Sequence, residues 1–541
     1  MANSTIRVED DEWHDAEFCP SGVVPGKLRV LTAQCESGRM IHHERMYDAD
    51  GNAIYDQKFP MDYVIGSGQR AKAYVHRRGD LLFMSPLNWY RETSVWDLSP
   101  NYEPDDVRRF DRRVNEACLG CHSGRVAVQE RGTNRYADPL FHETRIGCEK
   151  CHGPGEEHIA FREGITESDI DPIVNPAKLE HMRRESVCYQ CHLSTKARFL
   201  RPGRSHLDFR PGMKLSEIWA ILDRGIDISK DGRTRSVNHV QQMRASRCYQ
   251  MSSPKMGCIT CHDPHRETPL EFRLAFYRER CLQCHEESDC RASRDNRLLR
   301  QDSCIECHMP SLESSNMDHV AQTDHRILRD PESEGRFPMT EHSHPLEFFA
   351  DMGEELPEQD RKRAVLLGSF LDRSLPPDRL ARNLEELLSQ FPEDGLVLSA
   401  LGILARQRNE LSAARRYFEL AAAIPSERES SLFELLQLSY QSKEWSAAVD
   451  YATRLLEIDP FDTRVYAILG DSLWSLGRAE EAIDAVRRAS ELNPGSLPLR
   501  EWLIDRYRRT GRNEELREEE LILGRLREAR IPKKISEMPP D

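Results

Sequence analysis

The chain has 541 residues, enough for two or three domains, and 31% of them are charged against 38% hydrophobic, too few apolar residues for one core to span that length. A net charge of −15 excludes nucleic acid or an anionic membrane surface as a general partner, and no run of eighteen apolar residues is present to cross a bilayer as a helix.

The opening segment, MANSTIRVEDDEWHDAEFCP, is acidic and lacks the apolar stretch of a secretory signal. After it, KLRVLTAQ, MDYVIGS, AKAYVHR and LLFMS are short alternating or β-rich runs, divided by turn sequences such as DADGN and RRGD. This pattern predicts a small antiparallel β-rich region within residues 1–110. GSG at 66–68 is too short for a phosphate loop and reads as a turn, and DADGN lacks the later ligands of a calcium loop. The aromatic residues of PLNWYRETSVWDLSPNY are expected in an ordinary core.

From residue 118 a single phrase recurs. It reads Cys118-x-x-Cys121-His122, Cys148-x-x-Cys151-His152, Cys188-x-x-Cys191-His192, Cys258-x-x-Cys261-His262, Cys281-x-x-Cys284-His285 and Cys304-x-x-Cys307-His308. Zinc knuckles use paired CxxC, but zinc gives no reason for a histidine after every second cysteine. The C-x-x-C-H spacing suits covalent haem. Two thiols three residues apart each form a thioether with a haem vinyl group, and the following imidazole becomes the proximal ligand of the iron. Six haem c groups are therefore predicted between residues 111 and 330. So little chain per haem leaves the porphyrins as most of the core, with short helices, long loops and little regular sheet.

Twelve of the sixteen cysteines are thereby assigned. Cys19, Cys35, Cys248 and Cys290 remain as buried thiols or structural disulfides, and Cys248 with Cys290 is a candidate pair. Each proximal histidine leaves the other face of its iron open, and enough of the twenty histidines stand outside the motifs to fill all six faces. His265 follows His262 by three residues, so it cannot swing to the far face of its own haem, but it can reach the iron of a neighbour. His158 follows the second motif at a spacing of six. His319 and His325 follow the last motif, His142 precedes the second, and His239 precedes the fourth. These six are the candidate distal ligands, with His181, His206 and His42 in reserve. Complete bis-histidine ligation makes the haems low-spin and low in potential and leaves no iron open to a substrate.

The stretch 331–360, rich in Pro, Glu and Asp, reads as a linker. From 361 to 530 the period changes. Leu367-Gly368, Leu401-Gly402, Leu435-Leu436, Leu469-Gly470 and Leu503-Ile504 recur every 34 residues, as do Ala414, Ala448 and Ala482, and Gly477 with Gly511. Pro392, Pro425, Pro460 and Pro494 close the units. This is the tetratricopeptide pattern, in which small residues mark helix crossings and proline stops the second helix. The predicted fold is thus multidomain: an N-terminal β-rich region, a haem-packed cytochrome c domain with little regular structure, and a C-terminal all-α solenoid.

Taken together, the chain resembles multihaem c-type cytochromes of the doubled-CXXCH family with C-terminal tetratricopeptide repeats. The stretches that carry the resemblance are YVIGSG, WDLSP, GCEKCHGPGEEH, GCITCHDPH, CIECHMP and TDHRI. It implies periplasmic or otherwise extracytoplasmic redox work, with the repeats as a docking surface. Because haem is attached outside the cytoplasm, a leader is expected to be missing from this sequence through a mis-set start or its removal. Nitrite reductases resembled at this level use a CXXCK haem, and no CxxCK occurs here. The leading expectation is an electron carrier that meets redox partner proteins at haem edges and a protein partner at its repeats. The alternatives are an oxidoreductase acting on a small nitrogen or sulfur compound at one open haem, and a repeat-based assembly scaffold.

Overall fold

The computed structural model describes residues 4–8, 22–26, 28–66, 70–104, 108–166, 169–226, 238–252, 254–315, 317, 319–330 and 345–531. Cys19 and residues 331–344 of the expected linker lie outside them. The chain divides into two units, one of residues 1–119, 125–145 and 369–541, the other of residues 120–124 and 146–368.

Two antiparallel sheets begin the first unit. Their strands are β1 (Thr5–Arg7), β2 (Gly22–Pro25), β3 (Arg29–Glu36), β4 (Arg39–Tyr47), β5 (Ala53–Pro60), β6 (Tyr63–Ile65), β7 (Ala71–Arg78), β8 (Leu81–Tyr90), β9 (Val95–Leu98) and β10 (Arg112–Arg113). One sheet runs β2-β3-β4-β5 and the other β1-β6-β7-β8-β10, with β9 beside β8. The turns are where composition put them: Asp48 accepts the amides of Asp50 and Asn52, and Gly51 takes a left-handed φ of 86°. Ala33, Phe59, Val64, Tyr74, Leu87, Trp89, Trp96 and Phe110 form a shared core, so the tryptophans of the WDLSP region serve packing. A hairpin of β11 (Arg125–Glu130) and β12 (Arg135–Glu143) belongs to the same unit.

Two buried histidines make this core sensitive to acid. His42 on β4 bonds Ser85 Oγ through Nδ1 at 2.7 Å, and His76 Nε2 lies 3.1 Å from the Phe110 carbonyl. Burial first, and then neighbouring His76 and His43, press the pKa of His42 down to about 3; burial and then Arg78 do the same for His76. The unfolded chain binds protons at both sites below its ordinary histidine pKa near 6.5, whereas the folded chain does not. Stability is therefore expected to fall as pH drops from about 6.5 toward about 3. Thermal melting at stepped pH checks this, and His42→Gln should flatten the slope.

The solenoid fills the rest of the unit. Its helices run Pro377–Leu388, Gly395–Gln407, Leu411–Ala422, Arg428–Gln441, Trp445–Ile458, Thr463–Ser475, Ala479–Leu492, Leu497–Thr510 and Asn513–Arg527. The small residues sit at the crossings: a Cβ on Gly402 would lie 2.5 Å from Phe418, and one on Gly470 2.3 Å from Val486. Ala414, Ala448 and Ala482 are fully buried.

The β-region lies along one edge of the solenoid, at the junctions between repeats. Arg113 pairs with Glu429 at 3.4 Å and Asp459 at 3.2 Å, Arg135 donates to the Glu457 carbonyl, and Arg525 pairs with Asp48 at 2.9 Å. Arg78 lies over Phe461, whose ring meets Phe83 edge-on. At the centre, Arg109 donates Nε to both oxygens of Glu44, at 2.9 and 2.8 Å, Nη1 to the Leu492 carbonyl, and Nη2 to Gln57.

The second unit is built differently. Strands Ala197–Leu200, Trp219–Asp223 and Glu347–Phe348 make a small sheet around the fully buried Ile218 and Ile221. Around it are short helices, among them Glu149–His152, His181–His192, Cys258–Cys261, Leu270–Leu282 and Cys304–His308. The expectation of little regular sheet in this region agrees with what forms.

Candidate haem-binding site

Each motif sits on or against a short helix, because thiols at i and i+3 share a helix face while the next residue points its ring beyond them. Cys118, Cys121 and His122 lie on the helix Glu116–His122, Cys188, Cys191 and His192 at the end of His181–His192, and Cys304, Cys307 and His308 on Cys304–His308. Helix Glu149–His152 carries Cys151 and His152 and is capped by Cys148. Cys258 and Cys261 bound their own helix with His262 as its cap, and Cys281 lies near the end of Leu270–Leu282, with Cys284 and His285 just beyond. All twelve thiols are free of disulfides. The thiols of Cys121 and Cys191 are neighbours, as are those of Cys188 and Cys258 and of Cys281 and Cys304.

Around the last three motifs, protein packs poorly on protein. Among the described residues from 254 to 327 no hydrophobic side chain is buried. Helix Leu270–Leu282 has no buried residue although it carries Leu270, Phe272, Phe276 and Leu282. Leu270 is 80% exposed, Phe272 61% and Leu299 83%. Apolar helices leave such surface in water only when something other than the chain covers it; flat porphyrin faces are suited to that cover.

The imidazoles are aimed as ligands are. His152 Nδ1 lies 2.7 Å from the Val174 carbonyl, His308 Nδ1 2.6 Å from the Leu328 carbonyl, and His325 Nδ1 2.7 Å from the Thr323 carbonyl. His158 Nδ1 lies 2.6 Å from Asp171 Oδ1. Carbonyls and carboxylates only accept, so Nδ1 carries a proton, which in a neutral ring leaves Nε2 a bare lone pair, the tautomer of metal-binding imidazoles. Burial holds His122, His192 and His325 below the usual histidine range and, with His325 and His192 nearby, presses His262 down to about 4.

Three motif histidines face a histidine from outside the motifs. The rings of His152 and His265 are 5.9 Å apart and nearly parallel at 14°. His192 and His239 are 5.9 Å apart at 79°, and His262 and His325 6.2 Å apart at 28°. His239 and His325 also touch, at 4.7 Å.

A model of the cytochrome c554 and c-prime family matches residues 96–153, and a tetratricopeptide repeat model matches residues 433–496. The chain thus carries a cytochrome c segment and, toward its C-terminus, tetratricopeptide repeats. No curated relative matches it. Among solved structures it is similar to MamA from Desulfovibrio magneticus RS-1, at 18% identity over 31% of this chain and 94% of that one, with a TM-score of 0.28. MamA AMB-1 is 22% identical over 34% and 97%, with a TM-score of 0.29, and MamA MSR-1 22% identical over 31% and 97%, with a TM-score of 0.27.

A cytochrome c segment implies covalent haem c, which would supply reversible one-electron chemistry when bound. The cytochrome's remaining candidate histidines are placed elsewhere. His142 is exposed on β12, and His319 is exposed in a left-handed conformation with φ of 58°. His206 accepts from Trp219 Nε1 at 3.4 Å, His181 contacts Tyr249, and His42 belongs to the β core. Cys248 and Cys290 are both free thiols, the first of the two readings that the sequence left open for them, and Cys290 is exposed rather than buried. Cys35 is disulfide-bonded. Sequence reasoning missed Asp171 and the carbonyls of Val174, Thr323 and Leu328. A carbonyl belongs to every residue and leaves no mark in a sequence.

No helix among the described residues is long and apolar enough to cross a membrane.

Proposed function

We propose that this cytochrome is an extracytoplasmic hexahaem electron carrier whose repeats hold a partner protein. The observation that carries the reading is the set of three cross-paired imidazoles. With metal–imidazole bonds of about 2 Å, two imidazoles on one iron place their ring centres about 6 Å apart, and the three separations lie between 5.9 and 6.2 Å. His265 would then serve the haem of the second motif, His239 that of the third and His325 that of the fourth. Each pairing ties a loop of one motif to the iron of another, which favours short electron-transfer distances. The thiol contacts support an order in which motif 1 neighbours 3, 3 neighbours 4, and 5 neighbours 6.

The partner surface proposed lies on the repeats around Asp471, Trp474 and Trp502. There Asp471 accepts from Tyr440 and from Trp502 Nε1 (3.1 Å), and Arg506 lies over Trp474 at 4.8 Å and Trp502 at 4.7 Å. Aromatic rings and arginine in partly exposed positions are the usual anchors of protein interfaces.

Intact mass and visible spectroscopy of the matured protein test the reading. The expected result is a mass six haems above the polypeptide and a low-spin spectrum unchanged by carbon monoxide, nitrite or hydroxylamine. A bare mass overturns the haem assignment. A high-spin band that shifts with those ligands selects the oxidoreductase instead.

A further inference from the structure

The three thiol contacts join motifs 1, 3 and 4 and join motifs 5 and 6, but none of the three spans motifs 4 and 5. A tyrosine crosses that gap. Tyr277 stands on the helix Leu270–Leu282, and its Oη lies 3.2 Å from His262 Nδ1, the two rings being 5.7 Å apart at 76°. Cys281, the first attachment cysteine of motif 5, follows four residues later, one turn along the same face of the helix. One helix therefore carries a hydrogen-bonding partner for the histidine of motif 4 and a thiol of motif 5. The cysteines agree with this approach: Cys284 acts electrostatically on Cys261, and Cys261 on Cys281.

This partner differs in kind from those of the other motif histidines. His152 and His308 are held through Nδ1 by the backbone carbonyls of Val174 and Leu328, whereas His262 meets a phenol oxygen. With Nε2 as the ligating nitrogen, Nδ1 carries the proton and donates it to Tyr277 Oη. Packing gives no other reason for the tyrosine, because the helix has no buried residue and Tyr277 itself is half-buried. An acceptor on Nδ1–H makes an imidazole a more basic ligand. A more basic ligand favours ferric iron, so the bond lowers the potential of the iron that His262 serves.

We propose that Tyr277 is a positioning residue for the haem of motif 4, holding its potential down through His262 from the helix that carries motif 5. The effect on potential rests on the haem reading above; the hydrogen bond itself does not.

The test compares the haem-loaded full chain with its Tyr277→Phe variant, which keeps the ring and removes only the hydroxyl. Intact mass first counts the haems in both. A spectroscopic redox titration then reads the midpoints, and proton NMR of the oxidised proteins reads how fast each axial Nδ1–H exchanges with solvent. One midpoint should rise by up to about 59 mV, a tenfold change in a one-electron equilibrium and the usual ceiling for one hydrogen bond. The other midpoints serve as internal controls. The Nδ1–H of His262, identified in wild type by its through-space contact with the Tyr277 ring, should exchange about tenfold faster. Equal haem content with either the midpoints or the exchange unmoved overturns the proposal. Loss of haem from Tyr277→Phe alone, or a shift of every midpoint together, makes the tyrosine structural and overturns it as well. A wild type without haem defeats the haem reading alone. Ring-nitrogen NMR of that chain then reads the bond, which stands if Tyr277→Phe moves the Nδ1 signal of one histidine and falls if it moves none.

Discussion

Replacing His265 with alanine is expected to turn one haem from low spin to high spin, taking about one-sixth of the low-spin signal with it. The side chain is 73% exposed and its one ion-pair neighbour, Asp263, is 3.8 Å away, so its removal should cost the fold little. What it takes away is the imidazole facing His152. Added free imidazole should restore the low-spin spectrum, since it can occupy the vacated face, whereas a merely structural defect would not respond. His142→Ala, exposed on β12, serves as the comparison and should leave the spectrum unchanged. Electron paramagnetic resonance of the oxidised protein reads both variants. An unaltered spectrum in His265→Ala would remove the cross-paired ligand from the proposed scheme.

Arg109→Ala is expected to destabilise the first unit by about 3–5 kcal/mol, since breaking a buried ion pair strands its partner charge. Glu44 is 1% exposed, and among the described residues the other guanidinium in reach is that of Arg29 at 3.7 Å. Loss of Arg109 also removes its bonds to the Leu492 carbonyl and to Gln57. The β-region is then held to the solenoid there by the Gln57 amide, which donates to the Glu491 and Leu492 carbonyls. A drop in melting temperature on the order of 10 °C follows, with the haem spectrum retained.

The pH dependence should change sign as well. Burial opposes ionisation of Glu44, yet Arg109 and then Arg29 outweigh it and hold the carboxyl below its ordinary value. In wild type this contribution is complete above the unfolded carboxyl pKa and is lost as pH falls through the lower folded one. Without Arg109 burial governs, the folded pKa rises, and the deficit of the variant shrinks toward acid pH. Scanning calorimetry from neutral to mildly acid pH measures both effects, and the double variant Glu44→Gln/Arg109→Met should recover much of the loss. A single variant as stable as wild type would show that Glu44 finds another partner.

The solenoid was legible because its information is local and repeated. Leu401-Gly402 and Leu469-Gly470 recur where helices of one repeat cross, and a Cβ at either glycine would strike Phe418 or Val486. The β-region was legible for a similar reason, since its turns at DADGN and RRGD and its alternating runs act over a few residues. The six Cys-x-x-Cys-His phrases were legible as well, since each is set by spacing over five residues.

Tertiary structure alone decided what meets across distance. Arg113 finds Glu429 and Asp459 across more than three hundred residues, and no periodicity encodes that approach. The same holds for His265 beside His152 and for His325 beside His262. Short-range spacing specifies helices, turns and covalent attachment because the groups involved are joined by a few bonds. Which imidazole faces which, and which carbonyl carries its proton, depends on how distant loops pack.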